Sequence, residues 1–329
     1  MRRDLTLNAI SQDINGQLFD PFNGQQDLQN KVLRHVSDAF EEDPLRVLRV
    51  ARFAARYHQY GFTVAPETIA LMRNIAERGE LASLSAERVF KEIDRSLSEV
   101  DPDIFFDILR SCQALEKLLP EIDKLWGIPN PEKWHPEICS GIHTMMVLKQ
   151  AVKKSNNNAV RFAALCHDLG KGLTPEIAWP KHYGHEKSGL PVIKTLCKRL
   201  KVPTQYQQLA MKVCEFHLHS HKAFELKAST ILKLFNKLDV WRKPEEFSDF
   251  LLCCEADMQG RLGFEDSPYP QAAYLTEMAE QARLVSAKKF IDQGIKGKDI
   301  KIAMDNEKEK VIEQIKQNHA LKVGYLAGN

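Results

Sequence analysis

Long apolar runs are missing from this 329-residue chain; none approaches the roughly 20 residues that a membrane helix needs. The basic start Met1-Arg2-Arg3 meets Asp4 at once, without the apolar stretch of a secretory leader. The seven cysteines are odd in number and form no C-x-x-C pair, which excludes a disulfide framework and a thiolate zinc site. Together these absences predict a cytoplasmic protein with reduced thiols. Charge of one sign is lacking too: 46 Lys and Arg face 44 Asp and Glu, a net +2. Any contact with nucleic acid must therefore come from local basic clusters such as Lys153-Lys154 and Lys288-Lys289.

β signal is scarce as well. Asn15-Gly16, between Ile10–Ile14 and Gln17–Phe19, reads as a tight hairpin. Helical periodicity dominates the rest. Leu125–Pro136, rich in Pro and Trp, reads as a hinge or ordered linker. From about Ala287 the chain is rich in Lys and Glu and predicts exposed helices. The fold class is mainly α-helical, opening on the end of an α+β unit.

Within Glu42–Arg56, Pro44 suits a first helical turn and Asp43 an N-cap. Arg46, Arg49, Arg52 and Arg56 then share about a third of the helix circumference, with Val47, Val50, Ala51 and Ala54 opposite. Such a stripe is either a face paired with acids of a neighbouring helix or a site for phosphate groups, whose oxygens match guanidinium forks. Asp43 and Arg46, three apart, offer an acceptor beside a donor. That pattern complements the pairing edges of cytosine and adenine and repels those of uracil and guanine, at about 1–3 kcal/mol per contact. A plain N-cap is the alternative for Asp43.

Arg2-Arg3-Asp4, then Asp20-Pro21-Phe22-Asn23-Gly24, Glu42-Asp43-x-x-Arg46 and Ser85–Glu92 resemble, in order and spacing, the blocks of bacterial and eukaryotic tRNA nucleotidyltransferases, the CCA-adding enzymes. The resemblance implies that Arg3, Asp4, Asp43, Arg46, Arg49 and Arg52 contact ATP or CTP and that Glu42 orients the Asp43/Arg46 pair. The family's catalytic Asp-x-Asp, which holds Mg2+ for nucleotidyl transfer, has no counterpart in a glycine-rich setting here. Asp101-Pro102-Asp103 reads as a helix start instead. The expectation is a catalytic head lacking its beginning, with nucleotide addition belonging to a longer protein.

Eight of the eleven histidines lie between His135 and His221. His143, His167-Asp168-Leu169-Gly170-Lys171 and Asp257 resemble the H…HD…D set of HD phosphohydrolases, which the bacterial multifunctional CCA enzymes carry. That implies metal ligands His143, His167, Asp168 and Asp257, and catalytic roles for His167, Asp168 and Lys171. Gly170 lets the chain leave the helix sharply. A mixed imidazole and carboxylate set suits a divalent transition metal, Ni2+ among them, better than magnesium or calcium. Such an ion would activate water against phosphorus, with Lys171 offsetting phosphate charge. His182, His185 and His217 are further candidates for phosphate contacts or a second metal, while His35 reads as structural and His219 and His221 as surface residues.

The implied organisation is a head remnant (1–36), a helical neck with the nucleotide-recognition motif (37–135), an HD body (136–260) and a tRNA-binding helical tail (261–329). The implied function is tRNA 3′-end maturation and repair with ATP, CTP and tRNA as partners. It includes 2′,3′-cyclic phosphodiesterase, 2′-nucleotidase and phosphatase activity. A free-standing HD phosphohydrolase on small nucleotides and a non-catalytic tRNA- or nucleotide-binding fragment are the alternatives. A homodimer is left open.

Overall fold

The computed structural model describes residues 3–327. Met1 and Arg2, which open the first basic motif, lie outside the described residues. The chain begins with two short exposed strands, β1 (Ser11–Gln12) and β2 (Leu18–Phe19), paired antiparallel with Gln12 opposite Leu18. Their loop is longer than the two-residue turn that Asn15-Gly16 suggested. Asp13 organises it: its carboxylate accepts the N–H groups of Asn15 and Gln17 at 2.9 and 2.8 Å. Helix α1 (Gly24–Gln29) follows, then β3 (Val32–Leu33).

Helix α2 (Leu45–Tyr57) carries the arginine stripe, and its apolar face is dry: Val47, Leu48, Val50 and Ala51 are 0% exposed. The next strand, β4 (Thr63–Val64), pairs in parallel with β3, a second sheet too short to leave any periodicity in the sequence. Helices α3 (Pro66–Glu77), α4 (Ala86–Leu97) and α5 (Asp103–Ser111) follow, and α2 packs on both α4 and α5. Two short helices, α6 (Ala114–Leu118) and α7 (Pro120–Asp123), lead into the Pro/Trp segment. That segment is an ordered linker folded back on itself: Asn130 N–H donates to the Ile138 carbonyl and Ser140 N–H to that of Ile128.

The body is built from α8 (Ser140–Lys154), α9 (Asn158–Cys166), α10 (His185–Leu200), α11 (Thr204–His221), α12 (Ala228–Leu238) and α13 (Pro244–Gln259). Its pivot is α9, buried along Ala159–Cys166 and packed against α8, α11 and α13. A helix buried all round can only be central, and its one charged residue, Arg161, is satisfied by the carbonyls of Ser155 and Leu97. Asn157 caps it by accepting the N–H of Ala159 at 3.0 Å. The tail comprises α14 (Pro270–Arg283), α15 (Ala287–Asp292) and the long α16 (Lys298–Ala327). Helix α16 is less exposed than its composition suggested. It lies on α12 and α14, burying Ile312 and Lys308, whose ammonium sits 3.8 Å above the Trp241 ring. One continuous core runs from Leu5 to Ile312, and no helix among the described residues is long and apolar enough to cross a membrane.

After α9 the chain turns through a 3-10 segment, Leu169–Leu173, pressed against the start of α10. Gly170 is needed there for close approach to α10. A Cβ on it would strike the His185 carbonyl and lie 2.7 Å from the Gly189 amide nitrogen. Gly170→Ala is therefore expected to destabilise the chain by about 1–3 kcal/mol through overpacking. Thermal unfolding checks this, and an unchanged midpoint would show that the turn has room to move.

Candidate metal centre

Five helix ends meet at one place. His143 comes from the first turn of α8, His167 and Asp168 from the end of α9, and His185 from the start of α10. The end of α11 brings His217 and His221, and the end of α13 brings Asp257. Apolar residues fill the helix bodies, so the polar side chains at their ends are forced inward together. His143 and His217 are 0% and 2% exposed, His167 and Asp168 1% each.

Two triads result. His143 Nε2 lies 3.0 Å from Asp257 Oδ1, and His167 Nε2 lies 3.6 Å from the same oxygen. Asp168 Oδ1 faces His185 Nε2 at 3.2 Å and His217 Nε2 at 3.9 Å. Within each triad all ligand atoms fall within 4.8 Å of one another, and His167 Nε2 to Asp168 Oδ2, 3.2 Å, joins the two. The four residues read as metal ligands are thus brought together, but Asp168 groups with His185 and His217 rather than with the other three. His182 stands beside them, its Nε2 2.8 Å from the Pro129 carbonyl. Lys171 is buried, with Nζ 2.5 Å from Asp168 Oδ2.

The imidazoles are held in one orientation. Nδ1 of His143, His167, His185 and His217 lies 3.1, 2.7, 2.6 and 3.0 Å from the carbonyls of Gly260, Ala164, His182 and Val213. A carbonyl only accepts, so Nδ1 carries the hydrogen in each case and Nε2 is turned inward to take a proton or a cation. His167 Nε2 and Asp168 Oδ1 are buried and have no hydrogen-bond partner. Buried polar atoms without partners are rare and costly. A divalent cation would satisfy both, so the donor set fits such an ion.

Burial and charge pull against each other here. Burial alone would lower the pKa of His143, but hydrogen bonds to Asp257 and Glu137 outweigh it and raise the value to about 9. His217, without such support, is pushed down to about 3 by burial. Burial would raise the carboxyls of Asp168 and Asp257. The His167 charge opposes it first in each, and both are held well below the usual carboxylate range.

The structure also supplies partners that the sequence did not announce. Glu137 places Oε1 3.0 Å from His143 Nδ1 and 2.9 Å from His135 Nδ1. His221 is no surface residue: its Nε2 bonds Asp257 Oδ2 at 2.8 Å and its Nδ1 lies 3.1 Å from the Tyr269 hydroxyl. The spacing of His217 and His221, one turn apart on α11, was the available signal. His219 is half-buried against Phe216.

Three of the four arginines on the expected nucleotide face are paired with acids. Arg49 bonds Asp4 at 2.6 Å, Arg52 bonds Glu92 at 2.7 Å and Arg56 bonds Glu99 at 2.8 Å. Arg46 and Arg52 are buried rather than solvated. Asp43 accepts the Leu45 N–H at 3.2 Å, as a cap would, and is bridged by Arg88 at 2.9 Å. Arg46 turns instead to the Ala39 carbonyl. Asp43 and Arg46 thus engage Arg88 and the Ala39 carbonyl rather than each other. Arg3 is exposed, and Glu42 lies in the short turn before α2. His35 is structural, bonded to Thr68 at 2.8 Å.

Family models match three stretches: the Poly A polymerase head domain over residues 1–34, the "Probable RNA and SrmB-binding site of polymerase A" over 61–125, and the HD domain over 141–250. The chain is 57% identical over 316 residues to the multifunctional CCA protein of Shewanella frigidimarina, covering 96% of this chain and 76% of that one. It is 60% identical over 301 residues to that of Pseudoalteromonas atlantica, covering 92% and 74%. Among solved structures, a CCA-adding enzyme with CTP superposes with a TM-score of 0.62 at 18% identity, covering 98% of this chain and 71% of that one. The Thermotoga maritima CCA-adding enzyme complexed with tRNA gives 0.61 at 16% identity, covering 98% and 72%. At such identities these structures speak for the fold, and the close relatives decide the rest: the chain belongs to the family of multifunctional CCA proteins, with an HD domain as its body.

Proposed function

We propose that the convergent triads are a metal-dependent phosphohydrolase site acting on phosphate esters at RNA 3′ ends. By the same reading, α2 with its flanking loops is the nucleotide-reading part of a protein that adds CCA to tRNA from CTP and ATP. The observation that carries the first part is the pair of orphaned buried atoms, His167 Nε2 and Asp168 Oδ1, between ligand sets already oriented for a cation. His143, His167 and Asp257 would hold one divalent ion, and Asp168, His185 and His217 a second. An ion held there lowers the pKa of a water and polarises a phosphoryl oxygen. Lys171, its ammonium against Asp168, offsets negative charge on the phosphate. Glu137 and His221 fix the orientation of His143 and Asp257 from outside, as carboxylate–histidine pairs do around metals. The imidazole-rich set favours nickel, manganese, cobalt, iron or zinc.

The second part rests on membership of the family and on the motif residues. No Asp-x-Asp in a glycine-rich setting lies within this sequence to hold Mg2+ for nucleotidyl transfer, so these residues supply base recognition and not the transfer step. The division into head (1–36), neck (37–135), HD body (136–260) and tRNA-binding tail (261–329) is part of the proposal.

Hydrolysis of 2′,3′-cyclic AMP and 2′-AMP by the chain, with Ni2+, Mn2+, Co2+ or Mg2+ added in turn, is the direct assay. Activity with at least one transition metal is expected, falling to background in Asp168→Asn. Its absence with every metal would overturn the hydrolase reading. His221→Phe is expected to weaken metal affinity by about 10- to 100-fold in a chelator competition, because Asp257 loses its outer partner. Equal affinity would make His221 a bystander.

Proton linkage offers a test independent of substrate. In the folded metal-free chain His143 titrates near 9 against an ordinary value of 6.5. Its stabilisation is complete below pH 6.5 and is lost as pH rises through 9. Stability should therefore fall across that window by roughly 2–3 kcal/mol. A saturating transition metal, which needs Nε2 free of its proton, should cancel or reverse the slope. Denaturant unfolding at pH 6.5 and 9, with and without metal, measures both. Identical slopes in the two conditions would argue against His143 as a ligand.

A further inference from the structure

The linker between α7 and α8 supplies a group that no motif predicts. Asn130 is 2% exposed, and its backbone N–H is tied to the Ile138 carbonyl at 2.6 Å. Its side-chain oxygen accepts from Lys171 Nζ at 3.0 Å and from the Ser140 hydroxyl at 3.1 Å. An ammonium has no lone pair to offer, so the oxygen must occupy that side of the amide. The amide nitrogen is thereby fixed on the other branch, and it is buried with no hydrogen-bond partner. Ser140 is itself 0% exposed, which leaves the amide little freedom to turn away.

This unmet donor adjoins the candidate centre. The ammonium that holds its oxygen also touches Asp168 Oδ2 at 2.5 Å. The carbonyl of neighbouring Pro129 holds His182, whose Nδ1 is likewise buried without a partner. Lys171 has three N–H groups, of which Asp168 and Asn130 engage two. We infer that Asn130 Nδ2 and Lys171 Nζ form a donor pair for a non-bridging phosphoryl oxygen of the substrate, on the Asp168 side of the centre. Asn130 is then a substrate-binding residue, and the linker is one wall of the phosphate pocket. This rests on the phosphohydrolase reading, but its test does not require turnover.

Binding of inorganic phosphate to the full chain loaded with Mn2+ is measured by calorimetry, alongside metal content, for the parent, Asn130→Ala and Asn130→Asp. Asn130→Asp keeps an oxygen for Lys171 and Ser140 but replaces the donor with a second, negatively charged oxygen, so it protects the test against misfolding of Asn130→Ala. With metal content unchanged, Asn130→Ala should weaken phosphate binding about tenfold, the loss of one hydrogen bond to a charged group, and Asn130→Asp should weaken it further. Phosphate affinity within twofold of the parent in both variants, loss of metal in both, or no phosphate binding by the parent would each overturn the assignment. Hydrolysis of 2′-AMP is recorded in parallel. A parent that binds phosphate through Asn130 but hydrolyses nothing would sink the hydrolase reading and leave the donor pair standing.

Discussion

Charged and polar groups can share a dry interior only if each has a partner, and at the junction of α8, α9, α10, α11 and α13 the protein's own atoms do not supply enough of them. Histidine stands against carboxylate throughout, which holds Asp168 and Asp257 ionised and His143 protonated. Two atoms remain unmatched at the middle, His167 Nε2 and Asp168 Oδ1. The backbone takes up Nδ1 of four rings and so denies them any other orientation. The site is therefore organised in advance around a positive charge that the polypeptide does not provide. The helix ends are where they are because α9, buried along nearly its whole length with Arg161 satisfied by backbone carbonyls, carries the polar residues at its C-terminus into the interior.

The outer contacts make that arrangement rigid. A chain of bonds runs from Ser220 through Tyr269 and His221 to Asp257. Glu137 approaches His143 from the linker, and its other oxygen accepts the N–H of Leu262 at 3.2 Å. These links tie the linker, α11 and the segment after α13 to one another through the site. A metal bound there would hold the ends of the body together as well as acting on substrate.

Much of this was legible in the sequence, for identifiable reasons. His143, His167, Asp168 and Asp257 were visible because a metal demands particular residue types, and α2 because Pro44 and the 3.6-residue period mark it. Asn130, Glu137 and His221 were not, because what defines them is the shape of the linker and the angle between α11 and α13. Two-residue strands such as β3 and β4 carry no periodicity to read. The hairpin was found but its loop length was not, since Asp13 reorganised a turn that Asn15-Gly16 seemed to settle. The arginine stripe left two readings open. Its acids are Asp4, Glu92 on α4 and Glu99 just after it, all 40 or more residues away in sequence, so the helix by itself could not show them.

That pairing separates the nucleotide face into groups that can exchange partners and groups that cannot. Arg52 and Glu92 form a buried pair, and removing either partner would strand a charge in the core at a cost of about 3–5 kcal/mol. Arg52 is therefore committed to holding α2 against α4, whatever binds nearby. The Asp43–Arg88 bridge is different. Its side chains are 37% and 49% exposed, and such bridges contribute at most about 1 kcal/mol. A base edge offering an amine to Asp43 could replace Arg88 at little cost, and Arg46, which gives one amino group to the Ala39 carbonyl, keeps further N–H donors. On the proposed reading, base recognition by this pair would thus need little more than the exchange of one exposed bridge.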